Sequence, residues 1–198
     1  MRRRAAIAAA GVIAFAAAGS AAAQGGGHGE RFATTCAPCH GAQGVSTMEG
    51  TPSLAGQPSF YAITQLFLFR DGRRDNALMT AVAKGMSDGD LRGFSDAIAA
   101  LPAPPAPPVA TDAARAARGA EVAGRLRCAG CHGAAFDGGR QVPRIGGQRE
   151  DYLLAALQGF RSARRIGYTP AMTEALAGTT PDELQDLAYF LAHAPPPR

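Results

Sequence analysis

Residues 36–41 and 128–133 carry the same pattern, Cys-x-x-Cys-His-Gly, and the likeness continues in order beyond it. Pro52-Ser53-Leu54-Ala55-Gly56-Gln57 matches Pro143-Arg144-Ile145-Gly146-Gly147-Gln148. Tyr61 and Tyr152 each lie four residues after the matched glutamine, and Phe69-Arg70 matches Phe160-Arg161. Met79-Thr80 matches Met172-Thr173, and Leu91 and Leu184 each lie twelve residues after their methionine. So many matches in one order mean two copies of one folding unit. The stretch Pro102-Ala103-Pro104-Pro105-Ala106-Pro107-Pro108 divides them. Proline lacks the amide donor and fixes φ, so this stretch can be neither helix nor central strand. It reads as a stiff, extended linker over 102–110 that restricts how the units orient. The units are then 24–101 and 111–198.

Both units read as helical. Phe60, Ile63, Leu66, Phe67 and Arg70 suit one amphipathic helix, and Tyr152, Leu153, Ala156, Leu157 and Phe160 suit its counterpart. Ser87-Asp88 opens a periodic run to Leu101. Thr180-Pro181-Asp182-Glu183 combines an N-cap, a first-turn proline and first-turn acids before a run to about Ala194. No alternating β run of any length occurs, so the expected class is all-α. Each unit has about 80 residues and few large apolar side chains, which makes a marginal core. The chain has no Trp. A buried prosthetic group would supply what is missing.

The four cysteines say which group. Cys36-Ala37-Pro38-Cys39-His40 and Cys128-Ala129-Gly130-Cys131-His132 each have the spacing that attaches c-type haem. Two thiols form thioethers with the haem vinyl groups, and the adjacent His is held under the iron. A zinc site needs four ligands brought together. Here the pairs sit in separate repeats. A thioredoxin-like redox pair needs a βαβ context that is absent. The expected cofactors are therefore two covalent haem c groups, on Cys36 and Cys39 and on Cys128 and Cys131, with His40 and His132 as iron ligands.

The repeat also selects the opposite ligand. Of five methionines, Met1 is at the start, Met48 aligns with Arg140, and Met86 aligns with Thr179. Met79 and Met172 align with each other, each in a stretch expected to be irregular before the last helix. The competing role for both is core filler. His28 and His193 do not repeat and read as solvated. An axial His commonly donates its other N–H to a carbonyl. The carbonyls of Pro52 and Pro143 are the candidates. Arg70, Arg73, Arg161 and Arg164 are equally well read as propionate partners or as solvated helix-end charges.

The first residues read as a targeting segment. Arg2, Arg3 and Arg4 precede an apolar stretch from Ala5 to Ala18 and the small residues Ala21-Ala22-Ala23. That is a signal peptide over 1–23, cleaved before Gln24. Its apolar core is shorter than the ~20 residues of a spanning helix. The formal charge of +4 includes those three arginines, so the exported chain is nearly neutral. No basic run points to nucleic acid, and no second segment could span a membrane.

These motifs resemble the dihaem cytochromes c of the cytochrome c-4 class, across nearly all of residues 30–194. The resemblance implies two class-I cytochrome c domains in tandem, His/Met ligation in both, and a periplasmic location. The Pro-rich linker departs from the class pattern. With all six iron positions filled, no vacancy remains for substrate. The expected role is therefore outer-sphere transfer of single electrons and not catalysis. The resemblance implies a route from a cytochrome bc complex or other periplasmic donor, such as a dehydrogenase, to a terminal oxidase, through small transient contacts. The cytochrome subunit of a sulfide-oxidising flavocytochrome is similar to the same class and is the alternative. A dihaem peroxidase would need one open iron, which the matched methionines argue against.

Overall fold

The computed structural model describes residues 26–102, 104–165 and 169–194. The expected signal peptide lies outside them. The first half holds α1 (Gly26–Thr35), α2 (Ala37–His40), α3 (Ser59–Arg70), α4 (Ala77–Ala83) and α5 (Asp88–Ala99). The second repeats the order with α6 (Ala113–Arg125), α7 (Ala129–His132), α8 (Glu150–Arg161), α9 (Ala171–Ala175) and α10 (Pro181–Ala192). Among the described residues no named strand forms; the β pairing is one isolated bridge, Gly139 with Val142.

The last helix of each half starts where the sequence says it should. Ser87 and Asp90 form a capping box at α5, and Thr180 and Glu183 form one at α10 with Pro181 in the first turn. These helices supply equivalent core residues. Leu91, Phe94 and Ile98 are buried in the first half, and Leu184, Leu187 and Leu191 in the second. The first helix of each half crosses the last at close range. A Cβ added to Gly119 on α6 would lie 2.2 Å from the Asp186 carbonyl oxygen and 2.5 Å from Phe190 Cβ. In the first half Gly93 on α5 lies against the His28 ring, which a Cβ would meet at 2.3 Å.

The two halves are bonded to each other through their repeated glutamines. Gln57 Nε2 donates to the Arg144 carbonyl (2.8 Å), and the Arg144 amide donates back to Gln57 Oε1 (3.1 Å). Gln148 Nε2 donates to the Ser53 carbonyl (2.9 Å), and the Ser53 amide donates back to Gln148 Oε1 (2.8 Å). Gln57 matches Gln148 and Ser53 matches Arg144, so the halves are related as by a two-fold axis. The linker joins this interface. Pro104 lies against Gly56 and Pro107 against the equivalent Gly147. The linker is thus docked on both halves.

Candidate haem-binding sites

Each Cys-x-x-Cys-His motif folds as a single helical turn that puts its histidine inside. The His40 amide bonds the Cys36 carbonyl at 2.9 Å, and the His132 amide bonds the Cys128 carbonyl at 3.0 Å. The glycine that follows ends the turn with φ +84° in both halves. At Gly41 a Cβ would come within 2.1 Å of the Val45 carbonyl oxygen, so the chain can reverse there only without a side chain. Cys131 is exposed and the other three cysteines are half-buried. Burial pushes the Cys36 thiol up to about 11 and also raises Cys128. Cys36 and Cys128 are thus set against apolar side chains.

Both histidines are buried and anchored alike. His40 Nδ1 donates to the Pro52 carbonyl at 2.8 Å, and His132 Nδ1 to the Pro143 carbonyl at 2.9 Å. Those are the carbonyls expected from the sequence. With the proton on Nδ1, the Nε2 lone pair is left for a metal. Burial also lowers the pKa of each ring, which favours the neutral, ligating form.

Met79 and Met172 are half-buried, and each packs on a core that includes the first cysteine of its own half. Met79 joins Cys36, Ile63, Leu66, Leu91 and Phe94. Met172 joins the cluster of Leu157, Leu176, Leu184 and Leu187 that Cys128 also touches. Both occupy short helices, α4 and α9, where irregular chain was expected. Asn76 caps α4 by accepting from the Met79 amide at 2.9 Å. Met86 also reaches the first cluster, whereas Met48 is exposed. His28 is not simply solvated: it lies edge-on to Phe94 and bonds Asp90 at 3.2 Å. His193 Nδ1 bonds the Tyr189 carbonyl.

The arginines sort differently from the sequence reading. Arg70 donates to the Met86 carbonyl and to Asp88, and Arg161 donates to the Thr179 carbonyl, so this pair braces the turn before each last helix. Arg73 and Arg164 are exposed. Their successors turn inward. Arg74 and Arg165 converge from the two halves on the Tyr152 hydroxyl at 2.9 and 3.0 Å, and Arg165 also bonds Tyr61. Each guanidinium also lies over its equivalent phenylalanine, Arg74 over Phe69 and Arg165 over Phe160. Burial alone would raise Tyr152, but the two guanidinium charges outweigh it and hold the phenol below its ordinary value. Among the described residues neither arginine has a carboxylate partner. Two partly buried guanidinium groups that meet on phenol oxygens and have no carboxylate partner among the described residues fit the propionates of haem.

The Cytochrome c family profile matches residues 116–195. The chain is 33% identical over 171 residues to cytochrome c4 of Pseudomonas aeruginosa, covering 82% of this chain and 85% of that one. It is 32% identical over 171 residues to the thiosulfate dehydrogenase electron acceptor of Stutzerimonas stutzeri, covering 81% and 79%. The crystal structure of reduced recombinant cytochrome c4 from Pseudomonas stutzeri superposes with TM-score 0.76 at 26% identity, covering 84% of this chain and 96% of that one. The chain belongs to the cytochrome c4 family of dihaem cytochromes c.

This cytochrome is accordingly an electron carrier with two class-I cytochrome c domains and two covalent haem c groups, and not an enzyme. Among the described residues no helix is long and apolar enough to cross a membrane. The inward pair Arg74 and Arg165 was missed in the sequence because Arg73-Arg74 and Arg164-Arg165 are adjacent cations. Only backbone geometry decides which of two neighbours faces in.

Proposed function

We propose that this cytochrome, exported to the periplasm, carries haem on Cys36 and Cys39 and on Cys128 and Cys131. His40 with Met79 and His132 with Met172 then close the two irons. The observation that carries this reading is the pairing within each half of a tethered His with a methionine on the same core as the first cysteine. Haem, when bound, supplies a one-electron Fe(III)/Fe(II) couple. The chain's own residues fix the ligand tautomer through Pro52 and Pro143, exclude water with α3, α5, α8 and α10, and neutralise propionates with Arg74 and Arg165. The carrier takes single electrons from a respiratory donor, a cytochrome bc complex or a dehydrogenase, and passes them to a terminal oxidase or other acceptor.

A pyridine haemochrome assay on the purified protein is expected to give two haems per chain; one or none overturns the attachment. Met79→Leu and Met172→Leu should each leave both haems attached and remove one Met–Fe(III) charge-transfer band. If Met79→Leu keeps its band while Met86→Leu loses it, the first ligand is Met86. The likeness to a thiosulfate dehydrogenase electron acceptor supports a sulfur-compound dehydrogenase as donor. Rapid mixing with purified thiosulfate dehydrogenase and with a bc complex tests this, because the physiological donor should reduce the cytochrome much faster.

A further inference from the structure

The repeat places Arg144 where the first half has Ser53, and the replacement puts a cation between the halves. Arg144 is 8% exposed. Its Nε donates to the Ala55 carbonyl at 3.1 Å, and its Nη1 donates to the Gly146 carbonyl. Ala55 and Gly146 are equivalent residues of the two repeats. The guanidinium therefore joins the same carbonyl of both halves and sits on their two-fold axis. Its Nη2 is buried with no hydrogen-bond partner. No carboxylate among the described residues pairs with it, and burial alone lowers its pKa. A cavity of about 280 Å³ beside it is lined by Pro104, Pro105, Pro107 and Asp137, but Asp137 forms no ion pair with it.

This cation borders both axial-histidine loops. Pro143, whose carbonyl holds His132, is its sequence neighbour, and its partner Ala55 lies three residues from Pro52, whose carbonyl holds His40. A buried guanidinium stays charged and is screened far less than a surface one. Reduction adds one negative charge at each iron, which a nearby fixed positive charge favours.

We propose that Arg144 is an electrostatic tuning residue shared by the two haem sites, holding both reduction potentials up from the axis between them. This rests on the His40 and His132 sites assigned above. The test is a spectroelectrochemical titration of the purified dihaem protein, with the absorption spectrum recorded first. A missing haem or lost ligand band there speaks against the site assignment and not against Arg144. Arg144→Gln should disfavour reduction at both sites by about threefold to tenfold at low effective dielectric, tenfold being 59 mV for one electron. Arg144→Lys, which keeps the charge and loses the two-carbonyl fork, should keep both potentials near the parent. The double exchange Ser53→Arg with Arg144→Ser, which supplies the cation from the other half, should do the same. The proposal is overturned if the Gln variant leaves the potentials unmoved or shifts only one site. It is equally overturned if Lys falls as far as Gln, which would mean a packing role. A difference that vanishes at about 1 M salt, where the Debye length is about 3 Å, would mark a surface effect and overturn it too.

Discussion

Gly119→Ala and Gly124→Ala set the helix-crossing geometry against helix propensity within one helix. Both glycines lie in α6, and in a helix interior alanine is better by about 1 kcal/mol. At Gly124 nothing lies within 4 Å of an added Cβ. The propensity gain should appear there, at about half strength near the helix end, and raise the melting temperature by a few degrees. At Gly119 the methyl would stand 2.2 Å from a backbone oxygen of α10. Backbone cannot rotate aside, so the two helices must separate. Overpacking of that kind costs about 3 kcal/mol. After the propensity gain, a net loss of about 2 kcal/mol remains, roughly 10 °C for a domain of this size. Thermal unfolding of the haem-loaded protein, followed by far-UV circular dichroism and by the Soret band, measures both variants. If Gly119→Ala melts at or above Gly124→Ala, α6 and α10 do not cross at that residue.

Other expectations follow from the interface and the sites. Gln57→Ala and Gln148→Ala each orphan a buried amide and carbonyl, so each should cost about 2–4 kcal/mol in urea unfolding; losses below about 1 kcal/mol in both would refute the reciprocal pairing. The Arg149 guanidinium and the Gly50 and Tyr152 amides hold Asp151 at about 2, below its ordinary 3.8. A depressed carboxyl stabilises the fold above its unfolded pKa. That contribution is therefore complete above about pH 4 and lost as pH falls through about 2. Acid unfolding of Asp151→Asn should have a shallower limb over that window, and an unchanged limb would remove the Gly50–Asp151 contact from the interface. Loss of one charge-transfer band per site in Met79→Leu and Met172→Leu, with both haems retained, checks the ligand assignment.

Much of this is legible in the chain itself. The repeat announced two equivalent units, and the Ser87 and Thr180 signals located both final helices. Counting from the axial histidines pointed to the Pro52 and Pro143 carbonyls. The short helices carrying Met79 and Met172 were not legible, because seven and five residues are too few to show a period. The docking of the linker was hidden as well, since proline says how a segment runs and not what it lies against. Arg144 did leave a trace. It is the one charged residue in the two aligned six-residue blocks, a departure whose meaning emerges only when its neighbour across the interface is known.

The two-fold arrangement has a consequence for what a joined pair can do that two separate copies cannot. A homodimer with this interface would carry any change at an axial position twice. Arginine there would bring two guanidinium groups onto one spot with no anion between them, and the repulsion would open the interface. Serine on both sides would leave the axis neutral. Covalent fusion lifts that constraint, so one half keeps Ser53 while the other presents Arg144 alone. The Pro-rich linker thus does more than tether the halves: it makes a single unpaired charge permissible at the centre of a symmetric contact.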